Sequence, residues 1–214
     1  MKSKTNKITI IGMLSAIAYV SVIICRVPVV LFLKYEPKDT IIALGGFLFG
    51  PMVSFYISVI VSFTEMMTVS DTGIIGCVMN ILASCAFACV SAAIYKRKRT
   101  LQGAIIGLVA GILTMVIVML AWNYLLTPIY MGYPQEDVVK LLLPAILPFN
   151  LLKGGLNAAF TFLFYKPVVH ALRKSGLIEG NDSAGEQRHI GYIILAVATI
   201  ATCVLMILSL NGII

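Results

Sequence analysis

The sequence predicts an all-α integral membrane protein: a bundle of six membrane-spanning helices, followed by a seventh transmembrane helix at the C-terminus. Three observations carry that reading. Of 214 residues, 60% are hydrophobic and only 12% are charged, about half the charged fraction of a soluble domain. Charge is absent from residues 8–25, 40–64, 72–95, 100–135 and 190–214, and one lysine interrupts 141–165. Each run approaches or exceeds the ~20 apolar residues that cross a bilayer. The net charge of +7 is concentrated at Lys2, Lys4 and Lys7, at Lys96, Arg97, Lys98 and Arg99, and at Arg173, Lys174 and Arg188. All of these flank apolar runs, which is the positive-inside pattern. No aromatic-interleaved basic face accompanies them, so no nucleic-acid partner is expected.

The basic clusters set the order of crossings. Ala16-Ile17-Ala18 imitates a signal-peptidase site, but the apolar run continues to Cys25. That is longer than a signal core, so the first span is retained. With the N-terminus in the cytoplasm, residues 8–25 lead out and 26–39 form an outer loop. Residues 40–69 must then cross twice, because one crossing would leave the 96–99 cluster outside. Gly45-Gly46 and Gly50-Pro51 offer the break. The first piece, about eleven residues, reaches only ~16 Å of a ~30 Å core, so it leans on neighbours or starts earlier, near Pro37. Residues 72–95 return inward, 100–126 lead out, 127–140 form an outer loop, and 141–172 return to the basic HALRKS stretch. The resulting division is a six-span domain over 1–178, a polar cytoplasmic linker over 179–189 and an additional transmembrane helix over 190–214.

Enzyme signatures are absent. There is no phosphate-binding G-x-x-x-x-G-K-[ST] loop, no H-E-x-x-H and no G-x-S-x-G, so no catalytic residues are assigned and the chain does not hydrolyse ATP by itself. The five cysteines all lie in apolar runs. Cys85 and Cys89 share a helix face without a histidine or carboxylate beside them, which predicts packing and no metal site. His170 and His189 fall in the inner polar segments and read as solvated.

Polar residues gather instead at the outer end, in LKYEPKD (33–39), TEMMTVSDTG (64–73), WNYLLTPIY (122–130) and LPFNLLK (147–153). Asn150, Lys153 and Asn157 share one helical face. Lys153 reads either as a functional group inside the membrane or as a side chain that snorkels to headgroups from the turn behind Pro148. Asn123 and Asn150 each present a donor and an acceptor, complementary to an imide-like ring edge, or else bond between helices. Glu65 is expected in a structural ion pair with a lysine. Gly103, Gly107 and Gly111 recur every four residues as a packing face, and Gly12 with Ala16 forms a second small pair on the first helix.

Six spans, with an outer loop reading KYEPKD and then NYLLTPIYMG and LPFNLLK among them, resemble the riboflavin-binding S components of energy-coupling factor (ECF) vitamin transporters, over residues 1–178. The resemblance implies a monomeric six-helix capture protein in the bacterial plasma membrane, with its vitamin site facing outward and its N-terminus cytoplasmic. It implies a transmembrane coupling subunit and two cytoplasmic ATPase subunits as partners, riboflavin or a close flavin as cargo, and no cofactor. On this resemblance Asn123, Asn150 and Lys153 hold the polar edge of the isoalloxazine ring. Glu36 and its neighbours in the first outer loop contact the ribityl chain, while Thr127, Leu125, Tyr130, Phe149 and Phe32 complete the pocket. The family docks its coupling subunit through Ala-x-x-x-Ala on the first helix, matched here by Gly12-x-x-x-Ala16. The seventh helix lies outside the pattern. Two alternatives stay open: a secondary transporter coupled through Glu65 and Lys153, and an S component for FMN or another vitamin.

Overall fold

The computed structural model describes residues 4–30, 33–70, 72–132 and 134–174, together with 196–197, 199–201 and 203–204. Helix α1 (Lys4–Ile24) is the first span. The expected outer loop 26–39 contains a hairpin, β1 (Val27–Val30) against β2 (Leu33–Tyr35), with Val27 opposite Tyr35 and Pro28 opposite Lys34. Its valines favour extended backbone, a propensity too short-ranged to stand out beside the apolar helices.

Helix α2 (Lys38–Phe49) starts directly after Pro37, the earlier of the two expected starts. Its 12 residues rise only ~18 Å, and it packs against α1, α3 and α8. The expected break at Gly45-Gly46 does not occur; both residues stay helical. A Cβ on Gly46 would run into the Ser54 hydroxyl and stand 2.7 Å from the Ala92 Cβ. Those glycines therefore serve close approach of α3 and α5. The break is at Gly50, whose φ of 103° is open to glycine, and Pro51 occupies the first turn of α3 (Pro51–Thr68).

Helix α4 (Gly73–Ser84), a π-turn over Cys85–Cys89 and α5 (Val90–Arg97) make one continuous span that ends at the basic cluster. Helix α6 (Leu101–Met131) begins where the Thr100 hydroxyl accepts the Gly103 amide at 3.1 Å. It runs to Gly132, which closes it in the left-handed conformation at φ 68°. The expected loop 127–140 is thus corrected to a short connection. Pro128 has no amide hydrogen to give the Tyr124 carbonyl, so α6 loses one hydrogen bond a turn before its end. Helix α7 (Gln135–Leu141) follows at once, joined through a π-turn over Leu142–Ile146 to α8 (Leu147–Lys174). Pro144 and Pro148, lacking amide hydrogens, disturb the ladder there.

Among the described residues five helical stretches are long and apolar enough to cross a membrane; α2, with 12 residues, is shorter than these. Cβ atoms on Gly107 and Gly111 would stand 2.7 and 2.5 Å from the carbonyl oxygens of Ser91 and Phe87. The small-residue face therefore packs α6 backbone-to-backbone on α5 and its π-turn. Ile42, Ile57, Phe87, Leu108 and Met115 fill the main core, and a second cluster joins the hairpin to the outer part of α8. At the opposite end Phe47 stacks on Tyr95 at 4.5 Å, and the Tyr95 and Tyr165 hydroxyls meet at 2.7 Å. Ile17, Phe55, Phe63 and Ile117 are exposed, as lipid-facing side chains are. The linker 179–189 and most of 190–214 lie outside the described residues; those described beyond 195 are helical.

Candidate functional site

The end of the bundle that carries the hairpin holds a connected set of charges, all buried except the half-buried Arg26. Arg26, just before the hairpin, bonds the Val69 carbonyl at 2.8 Å and pairs with Glu36 at 3.0 Å. Glu36, just after it, pairs with Lys38 at 2.9 Å. Lys38 is fully buried and also reaches both oxygens of Glu65, at 2.7 and 2.6 Å. The Asn80 amide donates to Glu65 at 2.9 Å. Hairpin, α2, α3 and α4 are thereby tied at one point. Glu65 forms the expected ion pair, with Lys38 as its partner.

Lys153 lies beside this set on α8. Its ammonium is 3.2 Å from Asp39, whose other oxygen accepts the Ser84 hydroxyl. At 6% exposure it does not snorkel. Lys153 and Glu65 stand in separate pairs, so the coupling pair of the secondary-transporter alternative is not formed. Burial would raise the Glu36 carboxyl, but Lys38, Lys153 and Arg26 outweigh it and hold the group below its ordinary range. Three cations, Arg26, Lys38 and Lys153, face three carboxylates, Glu36, Asp39 and Glu65. The set is electrically balanced, as buried charges require.

Around these charges stand amides and hydroxyls. Asn150, on the turn before Lys153, is buried and donates to the Ile146 carbonyl at 2.8 Å. Asn123 is fully buried on α6, donates to the Met119 carbonyl and accepts the Thr127 hydroxyl at 2.9 Å. Helices α6 and α8 run antiparallel and meet where Gly154 faces Ile112 and Met115. Asn150 lies about 6 Å from that contact toward the hairpin end and Asn123 about 12 Å. The Asn157 carbonyl oxygen accepts the hydroxyls of Tyr35 and Thr40, each at 3.1 Å. Its amide nitrogen is buried with no partner among the described residues. Burial and the nearby Asp39 push the Tyr35 hydroxyl above its ordinary range, so it stays a donor.

The structure thus gathers Glu36, Asn150 and Lys153, with Phe149 buried in the cluster that seats the hairpin. Asn123 and Thr127 are bonded within α6. Leu125 is not brought in: it is 61% exposed, because α6 continues as a helix through 131 and turns that position to the outside of the bundle. Tyr130 lies in the last turn of α6, and Phe32 is outside the described residues. Lys38, Asp39, Asn80 and Tyr35 complete the network unassigned by sequence, although Lys38 and Asp39 stand inside the LKYEPKD motif. Among the described residues no three metal-ligating side chains assemble. Gly12 and Ala16 are both exposed on α1, and a Cβ on Gly12 would meet nothing within 4 Å.

Comparison with known proteins adds four findings. The family model for the substrate-specific component of ECF transporters matches residues 6–165. The chain is 28% identical over 181 residues to the riboflavin transporter RibU of Staphylococcus aureus (strain TCH60), covering 80% of this chain and 94% of that protein. It is 26% identical over 177 residues to the riboflavin transporter FmnP of Bacillus subtilis (strain 168), covering 76% and 92% respectively. A structure published as "Structure and mechanism of the S component of a bacterial ECF transporter" matches with a TM-score of 0.68 and 27% identity. It covers 80% of this chain and 99% of that chain.

Proposed function

The chain belongs to the family of ECF transporter substrate-specific components, and we propose that it captures riboflavin from outside the cell at the network beneath the hairpin. The observation that carries the reading is Lys153, buried at the outer end beside buried Asn150 and charge-balanced by Asp39. A lysine held there without headgroup contact is available to a ligand at the price of ordering it in advance.

Riboflavin has an apolar benzenoid end and a pyrimidine end with one N–H between two carbonyls. Asn123 and Asn150 each offer a donor and an acceptor, and the Lys153 ammonium donates to a carbonyl oxygen. These three hold the polar edge; Thr127 and Phe149 line the ring, and Glu36 with the hairpin covers the ribityl chain. The asparagines spend their amide hydrogens on carbonyls of their own helix, contacts that a bound ring would replace. The balanced charges favour riboflavin over FMN: each buried cation already has a carboxylate within 3.2 Å, so a phosphate dianion would have to displace one.

Energy comes from outside this chain, from a transmembrane coupling subunit and two cytoplasmic ATPase subunits. The exposed Gly12 and Ala16 on α1 provide the docking face, and the N-terminus is cytoplasmic. The test is flavin titration of the purified protein. Lys153→Ala and Asn150→Ala should each weaken binding about five- to a hundredfold, the cost of one unsatisfied polar partner, with the bundle still folded. Unchanged affinity in both variants would overturn the assignment.

A further inference from the structure

The family match ends at residue 165, yet the chain continues, and its described C-terminal residues are seated on α8. Ala196 is buried at 4% exposure, while Val197 and Val204 are 53% and 44% exposed. The buried and half-buried positions 196, 199, 200 and 203 repeat with helical spacing, one face inward. That face meets α8 at Gly155. A Cβ there would lie 3.4 Å from the Cys203 sulfur and 3.8 Å from the Thr199 methyl carbon. The Cys203 thiol points at the Leu152 carbonyl at 4.0 Å.

Gly155 is two residues beyond Lys153, about 200° around the helix, so the C-terminal segment backs the turn that presents the lysine. Ile200 and Cys203 also pack on the cluster of Val29, Leu33, Tyr35, Ile146, Phe149, Leu152 and Leu156. Three of its seven residues belong to the hairpin and three to α8.

We propose that the C-terminal helix is an intramolecular partner of the hairpin–α8 seam, docked through Gly155, and that it holds the hairpin down over the site. Its effect on flavin release rests on the proposed function, but its docking and its hold on the hairpin do not. In full-length Gly155→Cys, mild oxidation should join residue 155 to native Cys203. After trypsin cuts the linker at Arg188, the fragments that carry residues 155 and 203 should stay together until reduced, and adding Cys203→Ser should abolish the link. In Gly155→Leu, hydrogen exchange of the ligand-free hairpin amides (residues 27–30 and 33–35) should rise several-fold, about fourfold for each buried methylene contact withdrawn.

Cys203→Trp, which leaves residues 6–165 untouched, should do the same and serves if Gly155→Leu does not fold. Riboflavin should dissociate faster from both variants. Failure of the cross-link overturns the docking. A cross-link with unchanged hairpin exchange in the folded variants overturns the hold on the hairpin. Absence of riboflavin binding by the unsubstituted chain would instead remove the proposed function, while cross-link and exchange still decide this one.

Discussion

Replacing Lys38 should destabilise the protein more than any other single change in the charged network. Lys38 is fully buried and shared between Glu36 at 2.9 Å and Glu65 at 2.6 Å. Lys38→Met leaves Glu65, 3% exposed, with the Asn80 amide as its remaining donor among the described residues. Removing one partner of a buried pair costs about 3–5 kcal/mol, mostly for the charge left behind. For a chain of this size that lowers the unfolding midpoint by about 10 °C. Glu65→Gln should cost less, about 1–3 kcal/mol, because Lys38 keeps Glu36. Adding Glu65→Leu to Lys38→Met should recover part of the loss, since no stranded carboxylate remains on α3. The assay is thermal unfolding in detergent, followed through the emission of Trp122, the single tryptophan. If Lys38→Met is no worse than Glu65→Gln, or the second substitution recovers nothing, the network does not hinge on Lys38.

Gly107→Leu should prevent proper folding, because even its Cβ would stand 2.7 Å from the Ser91 carbonyl oxygen; yield of monodisperse protein checks this against Gly12→Leu, which meets open space. Glu36 is held below its ordinary pKa, so its contribution is complete above the unfolded value of about 4.3 and is lost as pH falls through the folded value. Flavin affinity should therefore stay level from neutral pH to about pH 5 and decline only in stronger acid; a fall centred near pH 6 would point to a different group. Gly12→Trp and Ala16→Trp should block uptake in cells that carry the coupling module while the isolated chain keeps its flavin affinity. Normal uptake by both would place the docking surface elsewhere.

Much of the fold was legible because membrane insertion writes itself into sequence on a coarse scale. The apolar runs and basic clusters marked the long helices, and the expectation of two passes within 40–69 pointed to a short helix where α2 lies. Local chain geometry was less legible. Gly45-Gly46 and Gly50-Pro51 look alike as break signals, yet only Gly50 takes a positive φ. Gly46 is glycine because Ser54 and Ala92 come close, and that is a property of two other helices. Likewise Pro128 reads as a helix end, whereas α6 absorbs it in its last turn and carries Leu125 to the outside.

The site divides the same way. Asn150 and Lys153 announced themselves as polar residues on an apolar helix, three positions apart. Lys38 and Asp39 did not, because they sit beside Pro37 in a charged outer motif, where solvent contact is the ordinary expectation. Their burial depends on where α2 begins. Starting at Lys38, the helix aims that side chain at Glu65 on α3 and the next one at Lys153 on α8, so one turn of backbone sets two ion pairs with partners 27 and 114 positions away in the chain. A helix beginning two residues later would leave both cations, Lys38 and Lys153, without those partners and Glu65 buried without its own. The balance of the site is therefore a consequence of the N-terminus of α2. That position is set by Pro37, which in the sequence served only to mark how long the short span had to be.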